Sequence, residues 1–178
     1  MTERPDDIAW IPESQMLDFC RLSRSTFHSW KKSGLDIVSE NAAYGLNDLL
    51  CLVILGAARK FLPPKKMIGA WRRLESNGEA TSILIAARQL EQGGCFDLLV
   101  DTQSGSIEVA LSDEELLGAI RNPAWPRTLA VIDLSEPIYR MIQSFEINAN
   151  KSPKPLARAP GRPPSAERNV TQLTFKGG

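Results

Sequence analysis

The sequence predicts an α+β protein: a mostly helical N-terminal domain over residues 8–75, a small acidic α/β domain over 76–147 and a basic, proline-rich disordered tail over 148–178. Three observations lead there. Apolar residues recur three and four apart through the first half, the spacing of amphipathic helices. After Gly93-Gly94 the period turns strand-like. From Asn148 onward there are five prolines and few large apolar residues, too few to offset the entropy of ordering. With 178 residues, 43% of them hydrophobic, the chain is long enough for one core or two small ones.

Each element follows from local chemistry. Pro12-Glu13-Ser14 starts a helix whose apolar face is Met16, Leu17 and Cys20, with Phe19 beside it. Ser23 caps a second helix over 24–33, because its hydroxyl accepts an orphan N–H. Phe27 and Trp30 share the buried face of that helix, and Gly34 ends it in a left-handed turn. Residues 35–46 are short and irregular and suit a small hairpin, a wing. Asn47 then caps an apolar helix to about Leu62, where Pro63-Pro64 breaks it. A fourth helix spans Lys65 to Glu75. Met67, Ile68, Trp71 and Leu74 form its inner face; Lys65, Lys66, Arg72 and Arg73 form a basic stripe opposite. A fifth helix covers Thr81 to Gln92. Strands follow at Phe96–Val100 and Ser106–Leu111, then a helix from Ser112 to near Asn122. A third strand lies at Thr128–Leu134, and a last helix is capped by Ser135.

Charge is segregated, although it totals zero. Residues 21–73 carry ten Lys/Arg against three Asp/Glu, whereas residues 74–147 carry four against twelve. A basic block is the footprint of a polyanion binder, because Lys and Arg displace counterions from phosphates. The plain alternative is a solvated face that keeps the protein soluble. The acidic middle would be repelled by DNA, so it should face away from it or meet a basic partner.

Helix, tight turn, capped second helix and a polar, basic outer face form the pattern that reads a DNA major groove. The residues also resemble a family. Ser23-Arg24-Ser25-Thr26-Phe27-His28-Ser29-Trp30-Lys31-Lys32-Ser33-Gly34-Leu35 is similar to the recognition-helix segment of MerR-type winged helix-turn-helix domains. Tyr44-Gly45-Leu46-Asn47-Asp48-Leu49 resembles the end of that family's wing and the start of its third helix. Leu62-Pro63-Pro64-Lys65-Lys66-Met67-Ile68 resembles the start of its fourth. The resemblance covers about residues 8–75, under half the chain. It implies that Arg24, Ser25, Thr26 and His28 lie at or near the groove. Ser29, Lys31, Lys32 and Tyr44 would contact the backbone or neighbouring bases. The chain departs from the family in two places. Glu40 stands in the wing segment where an arginine is usual, and no long heptad helix follows residue 75.

Other candidates have plainer readings. Phe27, Trp30 and Trp71 fit a core better than a base-stacking platform. His28 fits either a guanine edge or phosphate, or a solvated surface. Gly161-Arg162-Pro163 holds the core of a minor-groove hook, with Arg162 as its arginine, in what otherwise reads as a flexible tail. Asp113-Glu114-Glu115 caps a helix start rather than holding a metal, and Asp97, Asp101 and Asp133 read as surface acids. Cys20, Cys51 and Cys95 lack paired spacing, and His28 is the lone histidine, so neither a disulfide framework nor a zinc site is expected. No catalytic constellation and no cofactor are expected.

The function expected is sequence-specific binding of double-stranded DNA as a transcription regulator, with a homodimer on a two-fold site. The alternatives are an antitoxin-type interaction protein with autoregulatory DNA binding, partnered through the acidic 76–147 region, or a phage-type DNA-architectural or packaging adaptor. The longest apolar run, Leu49–Ala58, is far below the roughly 20 residues that span a bilayer, and the first residues are acidic and polar. No membrane association and a cytoplasmic location are therefore expected.

Overall fold

A computed structural model describes residues 11–37, 43–122 and 128–149. It is a mixed helix-and-sheet protein, as expected. In chain order the elements are β1 (Ile11–Pro12), α1 (Glu13–Phe19), α2 (Arg24–Lys32), β2 (Ala43–Tyr44), α3 (Leu46–Ala58), α4 (Pro64–Ser76) and α5 (Glu79–Arg88). They continue with β3 (Asp97–Asp101), β4 (Ile107–Ala110), α6 (Asp113–Arg121), β5 (Leu129–Asp133) and α7 (Ser135–Ala149). Arg162 and the expected tail beyond residue 149 lie outside the described residues, as do residues 38–42 of the expected wing.

α3 occupies the centre. Leu49, Leu50, Leu52, Ile54 and Leu55 are all fully buried, so the helix is apolar around most of its circumference. It packs against α4, α5, α7 and β3. One hydrophobic cluster therefore runs from Ile11 through Trp30, Leu55 and Trp71 to Leu98, Ile138 and Phe145. Residues 11–75 and 76–147 share this core.

The sheet has strand order β4-β3-β5, with both pairings antiparallel. β3 is buried along its whole length because it lies between the other two. Leu98, Val100 and Ile107 face the core. Leu99 lies opposite Glu108 and Val131 on the other face. α6 buries no residue fully, and Leu117, Ile120 and Val131 stay exposed.

Several local expectations are corrected. The expected hairpin over residues 35–46 turns on residues outside the described ones; among the described residues β2 pairs with β1, Ile11 opposite Tyr44. α3 begins earlier than Asn47 would cap it: Gly45 is the N-cap, and its N–H donates to Asp48 Oδ2 at 2.8 Å. It ends at Ala58, because Lys60 and Phe61 N–H groups tighten the last turn onto Ala57 and Ala58 carbonyls. α5 is displaced toward the N-terminus and stops at Arg88. The Ser135 hydroxyl accepts from Phe96 N–H at 2.8 Å, tying α7 to β3, while Asp133 Oδ1 accepts Ser135 N–H at 2.9 Å.

Two of the expected surface acids are buried. Asp101 is 2% exposed and organises the β3–β4 turn. Its carboxylate accepts from Gln103 N–H at 2.8 Å, Ser104 N–H at 3.1 Å and the Thr128 hydroxyl at 3.3 Å. Burial opposes its charge, but the bonds from Ser104, Gln103 and Thr128 outweigh that and hold its carboxyl below the ordinary value. Asp97 is also buried, and it accepts a hydrogen bond from the Cys95 thiol at 3.3 Å.

Candidate nucleic-acid interface

α2 is built to present one face. Ser23 caps it, accepting from Thr26 N–H at 3.2 Å, and Phe27 and Trp30 bury the opposite face. The helix ends as expected at Gly34, whose φ is +99°. Gly34 N–H bonds Lys31 O, and Leu35 N–H bonds Trp30 O, closing the C-terminal turn. That φ disfavours a side chain at Gly34; a Cβ there would sit 2.7 Å from Arg72 Nη2, the end of a side chain free to shift. The guanidinium of α4 thus lies against the end of α2.

The turn entering α2 follows the same plan with an unusual residue. Leu22 N–H bonds Leu17 O and Arg21 N–H bonds Asp18 O, the pattern that favours glycine in the left-handed position. Arg21 occupies it at φ +49°. Leu22 and Leu17 are both buried and hold the turn in place.

Arg24, Ser25, His28, Ser29, Lys31 and Lys32 are all exposed on α2. The sequence-predicted residues are therefore brought together on one surface, with two exceptions. Thr26 is half-buried, and its hydroxyl lies 2.8 Å from Ser23 Oγ, engaged with the cap. Tyr44 is corrected outright as a surface contact: it is 1% exposed and packs edge-on against Phe27, centroids 5.9 Å apart. It is buried because β2 is drawn against β1, in front of α2's inner face. Lys31 Nζ lies 5.6 Å from the Phe27 ring centroid, a cation–π contact that steadies the cation.

Glu13 is the residue that the sequence reading missed. It was legible as a helix-start acid and nothing more. Its Oε1 accepts from Arg24 Nε at 3.0 Å and lies 3.8 Å from His28 Nε2, and its Oε2 accepts from the Tyr44 hydroxyl at 3.4 Å. One carboxylate thus ties α1 and β2 to the outer face of α2. An exposed pair of this kind contributes only ~0.2–1 kcal/mol, so a phosphate or base edge can displace it at small cost. In the basic stripe of α4, Lys66 is engaged elsewhere: its Nζ donates to Gln103 O at 3.2 Å. Arg72, in contrast, brings its guanidinium to Gly34 at the C-terminal end of α2; in the sequence it stood only as part of the basic stripe of α4.

Outside this face the chemistry is quiet. Burial pushes the Cys20 thiol up to about 12 and Cys51 well above its ordinary value. Burial and the Asp97 hydrogen bond push Cys95 up to about 11. Ser112 caps α6, and Glu115 Oε2 reaches back to Leu111 N–H at 2.7 Å, so the acids there serve the helix start. Among the described residues, no group of three or more His, Cys, Asp or Glu could hold a metal ion, and no helix is long and apolar enough to cross a membrane. No protein-family model, curated protein or solved structure matches this chain.

Proposed function

We propose that this protein binds double-stranded DNA by laying α2 in the major groove, in the manner of a MerR-like helix-turn-helix domain, and that it acts as a transcription regulator. The observation that carries the reading is the sidedness of α2. Arg24, Ser25, His28, Ser29, Lys31 and Lys32 share its exposed surface, while Phe27 and Trp30 anchor the opposite one. A capped helix with hydroxyl, imidazole and cationic side chains on its outer face suits base edges and flanking phosphates. One such helix buries too little surface for high specificity, so the reading includes a homodimer on a two-fold site. The exposed Leu117, Ile120 and Val131 are suited to that contact.

The test is binding to a labelled duplex from the region upstream of the coding sequence, beside a random duplex of equal length, across a salt series. The upstream duplex is expected to bind tighter, by about 1,000-fold or more at physiological salt. Arg24→Ala/Lys31→Ala should cost about tenfold or more on it at unchanged thermal stability. Equal, weak binding to both duplexes would sink the proposal.

Glu13 gives a second prediction for the same interface. Its carboxylate faces the anionic backbone, so Glu13→Gln should raise affinity for the random duplex. It should also steepen the decline of log K with log salt by about one unit. An unchanged salt slope would show that Glu13 and Arg24 stand away from the phosphates.

A further inference from the structure

We infer that a groove between the C-terminal ends of α1 and α3 and the first turns of α7 is a docking site for an acidic, amphipathic segment of a partner protein. The groove encloses about 660 Å³. Phe19, Val53 and Met141 contribute apolar surface to its walls, and Arg21, Arg59 and Lys60 stand around it. Those three cations are exposed, and none meets a carboxylate among the described residues. Arg140 also lines the groove, but it is neutralised by Glu136 one helical turn away. The unpaired charge is therefore positive.

Gly56 is the second observation. It lies inside α3 and lines the groove. A helix-interior glycine costs about 0.5–1 kcal/mol relative to alanine. Nothing among the described residues requires it: a Cβ at Gly56 would meet none of their atoms within 4 Å, and its φ is not in the left-handed region. A bare backbone facing open space is what close approach by another chain needs.

Charge complementarity and the apolar walls together select the occupant. A duplex backbone would match the cations but leave the apolar walls unfilled; a basic segment would be repelled. A helix bearing leucine on one side and glutamate on its flanks satisfies both. The site is separate from the outer face of α2, so the inference does not rest on DNA binding.

The probe is a fluorescein-labelled peptide of leucine and glutamate at helical spacing, with a lysine-for-glutamate version beside it, titrated with the full chain by anisotropy. The glutamate peptide is expected to bind saturably and the lysine peptide not to bind. Gly56→Trp, which fills the groove from its wall, should weaken binding about tenfold or more. Arg59→Gln/Lys60→Gln should weaken it several-fold and flatten its decline with salt. The double glutamine variant leaves the groove's shape alone, so it keeps the test decisive should the tryptophan disturb folding. No saturable binding of the glutamate peptide up to about 1 mM overturns the inference, as does equal binding of the two peptides or wild-type affinity in both protein variants. Loss of duplex-DNA binding in Gly56→Trp, with thermal stability unchanged, would assign the groove to the DNA face and equally overturn it. Failure of Arg24→Ala/Lys31→Ala to affect DNA would leave this result standing.

Discussion

Trp30→Ala is expected to destabilise the protein by about 3–5 kcal/mol, enough to remove most of the stability of an ordinary domain. Trp30 is 1% exposed and among the largest fully buried side chains. It belongs to the same cluster as Phe27, Leu35, Leu55 and Trp71, so its removal opens a cavity beneath α2. Its carbonyl also receives Leu35 N–H at 3.0 Å at the helix end, although that bond survives the substitution. The measurement is the denaturant midpoint, with the slope checked for constancy. DNA binding should fall with it, although the ring touches no surface. That outcome contrasts with Arg24→Ala/Lys31→Ala, where binding should fall at constant stability. A shift below about 1 kcal/mol would mean that the ring is not seated in a packed core.

The second large effect is expected at Asp101. Asp101→Ala strips the acceptor from Gln103 N–H, Ser104 N–H and the Thr128 hydroxyl together. Gln103, Ser104 and Thr128 are themselves exposed, so water meets the freed donors and the loss is the net value of the charge-assisted bonds, about 1–3 kcal/mol in total. The effect should depend on pH. The folded carboxyl titrates below its ordinary value, which is about 3.9 in an unfolded chain. Its charge therefore contributes stability fully above pH of about 3.9. That contribution is lost as pH falls from there through the folded value. Urea midpoints of the wild type and of Asp101→Asn should diverge at pH 7 and converge toward pH 2. A constant gap across that range would show that the carboxylate's charge is not what holds the turn.

The helical half of the fold was readable because its signals are local. Ser23 three residues before Thr26, Phe27 three before Trp30 and Gly34 after Ser33 specify α2 within one short stretch. The succession β3, β4, α6, β5 along the chain was equally legible from alternation and turn residues. What escaped was set by long-range contact. β1 and β2 are two residues each, too short to carry a period, and they pair across the whole of α1 and α2. Their pairing buries Tyr44, for which the family resemblance implied a contact with DNA. The same pairing brings the Tyr44 hydroxyl to Glu13, so the carboxylate's place at the candidate interface could not be inferred from its helix-start position. Asp101 was misread for a related reason. A strand-end acid is ordinarily solvated, and only the central place of β3 and the return of Thr128 enclose it. At Arg21 the turn favours glycine, and the buried Leu17 and Leu22 hold an arginine there instead.

The shared core around α3 has a mechanical consequence. α2 is joined through Trp30 and Leu55 to the same packed interior that seats α7 and the sheet. Packed interiors resist compression and transmit displacement rather than absorbing it. The outer face of α2 and the acidic half are therefore coupled through one packed core. A contact that shifts α7 or the sheet is passed to the packing beneath α2 rather than absorbed between independent cores. In a two-fold pair joined at the acidic half, the separation between the two α2 helices would be set by that joint, much as the hinge of a pair of dividers sets the distance between its points.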